Sequence, residues 1–140
     1  MKRSHNAMWH NAVMSLGLLA LLWVMTGCQL TQSTYARTTN NAGSAFAAAA
    51  TTLTYAHKGK ISYAYAAASF VNFQSELSGI DQTLTAQKGA NASTIKHLLA
   101  LYTPAMQAVD APCLTNTCDW QKQVDRLNHA SQAFLEASNS

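Results

Sequence analysis

One stripe constrains this chain more than any other feature. Between residues 61 and 88, Tyr63, Ala66, Phe70, Phe73, Leu77, Ile80 and Leu84 recur at alternating steps of three and four. Side chains spaced in this way share one face of an α-helix, whereas a half-buried strand needs strict alternation. Asn72, Gln74, Ser75, Glu76, Ser78, Asp81 and Gln82 fall between them and supply a wet face. The seam is long enough to close against helices of its own chain or against a second copy. Tyr63, Phe70 and Phe73 are therefore expected in the core. Gly79 lies inside the pattern, costs roughly 1 kcal/mol against alanine in a helix and marks a bend. Lys88-Gly89 predicts the stop.

The neighbouring segments carry the same periodicity. In the Ala-rich stretch 45–57, Phe46, Ala50, Leu53 and His57 step by four, three and four, and Lys58-Gly59-Lys60 places a cation and a glycine where a helix ends. The alternative is a frayed, Ala-rich coil. Asn91 or Ser93 caps a third helix, whose buried face is Ile95, Leu98, Leu99 and Tyr102. Pro104 should break or kink it, with Thr103-Pro104 restarting a short helix to Val109 and Asp110-Ala111-Pro112 closing it. A last helix over 119–137, capped by Asp119 or Thr117, carries Trp120, Val124, Leu127, Ser131 and Phe134 on one side. No alternating strand pattern of useful length occurs. The expected fold is all-α, a small antiparallel bundle of three to four helices.

A length of 140 residues suits one domain, with a tail. A net charge of +3 is too small for the dense basic patch of a nucleic-acid binder. No run reaches the roughly 20 apolar residues of a membrane-spanning helix.

The N-terminus has a different character. Lys2 and Arg3 precede the run AVMSLGLLALLWVM at residues 12–25, about 21 Å long as a helix against a bilayer core of about 30 Å. Residues 16–25 are apolar on every side, unlike a surface helix of a folded domain. A basic start, a short apolar run and small residues after it make a secretory signal peptide. The run ends Met25-Thr26-Gly27-Cys28. These residues resemble the lipobox of bacterial lipoproteins, an aliphatic residue and two small ones before a cysteine, with Met25 standing where Leu is more usual. The resemblance implies cleavage before Cys28 and attachment of palmitate-type acyl chains to its thiol and new amino group. Several acyl chains hold a protein on a membrane where one is marginal. Gln29, rather than Asp, implies sorting to the outer membrane, facing the periplasm, over retention in the inner one. Without Lys2 and Arg3 the chain keeps seven basic against six acidic residues, so little of the basic character survives processing.

Residues 29–44, QLTQSTYARTTNNAGS, are polar and offer little to bury. The expected organisation is a signal peptide at 1–27, a lipidated flexible tether at 28–44 and a helical domain at 45–140.

Few residues suggest chemistry. Cys113 and Cys118 are the cysteines left once Cys28 is committed to lipid, and in an oxidising envelope they should pair. Closing a six-residue loop adds about 2 kcal/mol on the chain-entropy account. Their four-residue spacer departs from the Cys-x-x-Cys of redox enzymes. His57, His97 and His129 fall on separate helices and form no close-spaced metal-ligand pair, and neither Glu76 with Asp81 nor Asp119 with Asp125 shares a strict helix face. No catalytic residue, metal site or cofactor is expected. Tyr55 and Tyr65 fall off the helical seams, and an exposed tyrosine buries ring area while its hydroxyl stays wet, so these two are the candidate partner-binding residues.

These features point to a non-enzymatic outer-membrane lipoprotein, a tethered binding or assembly module for an envelope protein such as a secretion or surface-structure component. The alternative is a periplasmic helical lipoprotein that binds a small ligand or metal. In outline, a small lipidated helical domain with a disulfide is similar to the all-helical pilotins of secretins; the likeness is one of architecture and carries no site residue across.

Overall fold

Ser33 starts the folded body. Its hydroxyl accepts the Ala36 amide at 3.1 Å, and α1 runs from Thr34–His57. The computed structural model describes residues 33–87 and 91–140, so the expected signal peptide, Cys28 and the expected stop at Lys88-Gly89 lie outside the described residues. Among the described residues the fold is all-α: α1 is followed by α2 (Tyr63–Leu77), the short α3 (Ile80–Thr85), α4 (Ala92–Asp110) and α5 (Trp120–Ser138). Residues 33–140 form one compact unit.

The start of α1 corrects the expected tether. Residues 34–44 are helical, and Thr39, Ala42 and Gly43 are buried. Polar, small residues conceal a core face here because small size is what the packing needs. A Cβ on Gly43 would stand 2.7 Å from Leu135 Cγ and 3.0 Å from the Leu135 amide nitrogen, so α1 and α5 meet almost backbone to backbone. The Thr39 hydroxyl is satisfied within its own helix by donating to the Tyr35 carbonyl at 2.9 Å. Residues 34–44 of the expected tether therefore belong to the helical body, and the rest of it, before Ser33, lies outside the described residues.

The pairing of α1 with α5 is antiparallel: Gly43 meets Leu135, Phe46 packs edge-on against Phe134 at 5.7 Å, and His57 stacks on Trp120. Phe46, Leu53, Leu127 and Phe134 are fully buried along this seam, and Tyr102 of α4 closes it with its ring 6.1 Å from Phe46. The α1 stripe at Phe46, Ala50 and Leu53 is core as expected, with His57 half-buried at its end.

The long seam of residues 61–88 is divided. Gly79 adopts φ 78°, a left-handed conformation that ends α2 and starts α3, so the expected bend is a break. Ala66, Phe70, Leu77 and Leu84 are buried, and Phe73 and Ile80 are half-buried. Tyr63 is the exception. It is 46 % exposed rather than core, because it opens α2 at the rim of the bundle, where only the edge of its ring meets His57.

Asn91 caps α4 by accepting the Ser93 amide. Contrary to expectation, α4 continues through Pro104 to Asp110. Proline removes the bond to the carbonyl four residues earlier, here Ala100, and Ala100 is exposed, so water can satisfy that oxygen. Asp119 caps α5, its carboxylate accepting the Lys122 amide at 3.0 Å.

Candidate functional site

The rim where α1 turns into α2 is built from backbone chemistry first. The Lys60 amide donates to the Tyr55 carbonyl and the Gly59 amide to that of Ala56, with Gly59 left-handed at φ 66°. This pair of bonds is a Schellman ending, and it requires glycine at the left-handed position. Ser62 then caps α2 by accepting the Tyr65 amide at 3.1 Å. The turn thereby holds Tyr55, Lys58, Lys60, Tyr63 and Tyr65 within a short, fully specified piece of chain.

Across the rim, Cys113 and Cys118 are joined, with sulfurs 2.01 Å apart, in the loop between α4 and α5. Gln123 on α5 holds that loop with both ends of its amide, accepting the Cys113 amide at 2.7 Å and donating to the Ala111 carbonyl at 3.0 Å. His57 reaches the same loop from α1, its Nε2 lying 2.6 Å from the Cys113 carbonyl. A carbonyl only accepts, so Nε2 carries the proton. The imidazole is stacked on Trp120 at 4.6 Å and 8°, with Tyr63 edge-on at 5.9 Å. A histidine, a tryptophan and a disulfide loop thus bind the end of α1 to the start of α5.

Structural work therefore occupies His57, the half-buried histidine among the described residues. His97 and His129 are exposed on α4 and α5, and among the described residues no group of three or more His, Cys, Asp or Glu side chains is placed to hold a metal. Glu76, Asp81, Asp119 and Asp125 are all exposed.

The two candidate contact tyrosines, Tyr55 and Tyr65, are both exposed, but they stand on different helices, α1 and α2. Lys60 lies over the Tyr55 ring with Nζ 5.0 Å from its centre. Tyr65 is 62 % exposed and Val71, six residues further along α2, 63 %. Ala67 and Ala68 lie bare between them, and Ala64 just before them. The first part of α2 thus shows a largely apolar outer face, which neither the polar segment 72–82 nor the heptad seam suggests, and Asn72, Ser75 and Glu76 are the exposed polar residues that follow it. The sequence signal was present in the alanines off the seam, which a helix with a wholly wet outer face would replace with charged residues. The His57–Trp120 stack was also missed. The two residues end the stripes of α1 and start that of α5, so antiparallel pairing of those stripes brings them together.

No protein-family model matches the chain, and neither the curated proteins nor the solved structures give a match.

Proposed function

We propose that this chain is a lipid-anchored protein of the bacterial outer membrane that works without catalysis, holding a binding face for an envelope protein close to the bilayer. The anchor is supported by the lipobox-like Met25-Thr26-Gly27-Cys28 behind its basic and apolar leader. The observation that carries the binding role is the outer face of α2, where Tyr65 and Val71 stand more than half exposed on a helix whose only charged residue is Glu76. Exposed apolar residues that adjoin one another on one helix, as Tyr65, Ala67, Ala68 and Val71 do, are the kind of surface that serves as a contact. Confinement does the rest: a module held at the membrane meets a membrane partner at high effective concentration, so a modest face suffices.

The test is envelope fractionation with crosslinking, on the natural chain and on Cys28→Ala. The natural chain should carry acyl mass on Cys28, follow the outer membrane and yield a defined crosslinked partner from a probe on α2. The Cys28→Ala form should lose the acyl mass and leave the membrane. A Cys28→Ala form that stays with outer membranes at unchanged acylation overturns the anchor.

A further inference from the structure

The exposed residues of α1 form a single ridge. Beyond its first residue they step by four and three from Arg37 through Ser44 and Thr51 to Tyr55 and Lys58, and every other side of the helix is at least half covered. This ridge carries a cation near each end and no acid. The charge of the whole chain is arranged the same way: every acidic residue lies at or after Glu76, so α1 and the α1–α2 turn contain Arg37, Lys58 and Lys60 unopposed within their own segment. Asp119, beside Trp120 at the turn end, is directed to the Lys122 amide. Tyr55 completes the ridge with Lys60 over its ring.

We propose that the ridge of α1 seats on an anionic lipid surface, so that the anchored bundle lies on its side with α1 along the membrane plane. An exposed tyrosine beside lysines is the chemistry of the headgroup layer: the ring enters the interface, and the cations meet phosphate. The chain outside the folded body gives the second argument. This inference rests on acylation at Cys28, which leaves residues 29–33 before α1, a span of at most about 18 Å. From Arg37 to Lys58 the ridge is about 32 Å long at 1.5 Å per residue. With its N-terminal end held that near the bilayer, α1 must either stand up, lifting Tyr55, Lys58 and Lys60 away from lipid, or lie down and bring all three cations to it. The ridge composition selects the second. The outer face of α2 then has a fixed bearing relative to the membrane, which a free tether would not give it.

The experiment is made independent of acylation. The chain 29–140, which contains the whole compact unit, carries a polyhistidine tag at its N-terminus and is held on nickel-chelating lipid in phosphatidylcholine vesicles with or without phosphatidylglycerol. An environment-sensitive nitrobenzoxadiazole label is placed on Thr51→Cys in the ridge or on Ala100→Cys, exposed on α4. With phosphatidylglycerol the label at 51 should shift to the blue while the label at 100 keeps its emission in water. The combined change Arg37→Glu, Lys58→Glu and Lys60→Glu should abolish the shift, as should high salt on the unchanged ridge, which covers the case of a variant that loses helicity. A label at 51 that stays in water on anionic vesicles, a shift that survives charge reversal and salt, or equal shifts at 51 and 100 would each overturn the seating. Mass spectrometry of Cys28 in the natural protein reports separately on the anchor.

Discussion

Alanine has opposite fates in α1 and α2. In α1, Ala42, Ala45, Ala49, Ala50 and Ala56 are buried, whereas in α2 only Ala66 is, and Ala64, Ala67 and Ala68 face outward. Intrinsic helix propensity is the same in both. What differs is the neighbour. Along α1 the small residues alternate with Phe46 and Leu53, and a glycine admits α5 so closely that the two backbones nearly touch. Along α2 the small residues flank Tyr65 and Val71, and no described helix covers them. Small residues in a helix therefore mark a place where another surface can come close, and the large residues beside them decide whether that surface is supplied by the chain itself.

The comparison breaks if the α1–α5 seam proves tolerant. Phe46 meets Phe134 and Tyr102 edge-on at 5.7 and 6.1 Å and is fully buried. Phe46→Ala should cost about 3–5 kcal/mol in urea unfolding, enough to unfold much of a small domain. Gly43→Ala is the finer probe. Alanine improves helix propensity by about 1 kcal/mol, but its Cβ collides with Leu135, including the backbone nitrogen, which cannot rotate away. Overpacking of this kind costs about 1–3 kcal/mol, so the net change should be a destabilisation of up to about 2 kcal/mol. Ser44→Ala, one residue on but exposed, should be neutral or slightly stabilising. If Gly43→Ala matches it, the close approach is not what holds the seam.

Tyr102 joins the two regions, since its hydroxyl donates to the Leu77 carbonyl at the end of α2, 2.8 Å away and buried. Tyr102→Phe leaves that carbonyl without its partner and should cost about 1–2 kcal/mol. Burial, aided by the negative charges of Asp81 and Asp110, raises the phenol above its ordinary value of 10.0. The folded state therefore favours the neutral ring. Its contribution is complete below pH 10 and is lost as pH climbs from there through the raised value. Denaturation followed between pH 9 and 11 should show a steeper alkaline decline for the natural chain than for Tyr102→Phe.

Much of this body is legible from the chain alone. Stripes of large residues at steps of three and four, with Ser, Asn or Asp ahead and glycine behind, locate the helices because burial and capping act through those side chains directly. The differences all arise where the outcome depends on a neighbour that local spacing does not specify. Thr39, Ala42 and Gly43 look like tether because a hydrophobicity pattern registers what a residue can bury and not how near it lets a neighbour come. Pro104 has the sequence signature of a break or kink because its cost depends on whether the Ala100 carbonyl meets water, which only packing decides. Tyr63 has the spacing of a core residue but the position of a rim residue, and spacing says nothing of how far the covering helices extend. The candidate site suffered most, since His57, Trp120 and the Cys113 carbonyl come from three separated segments and no local pattern links them.

The smallest expected change in stability is the most informative about α2. Tyr65 and Val71 bury little in the folded chain, so Tyr65→Ser and Val71→Ser should each alter unfolding by no more than about 0.5 kcal/mol. A residue kept only by drift would be equally silent in every other assay. If the outer face of α2 receives an envelope protein, each change should instead weaken crosslinked partner recovery, and the double change should nearly abolish it, because the aromatic and aliphatic anchors of a contact carry most of its energy. Ser75→Ala, exposed on the same helix without an anchor side chain to lose, is the internal control and should leave recovery intact. Equal recovery for all three would return α2 to the status of a helix with surplus alanine, and the contrast with α1 would then concern packing alone.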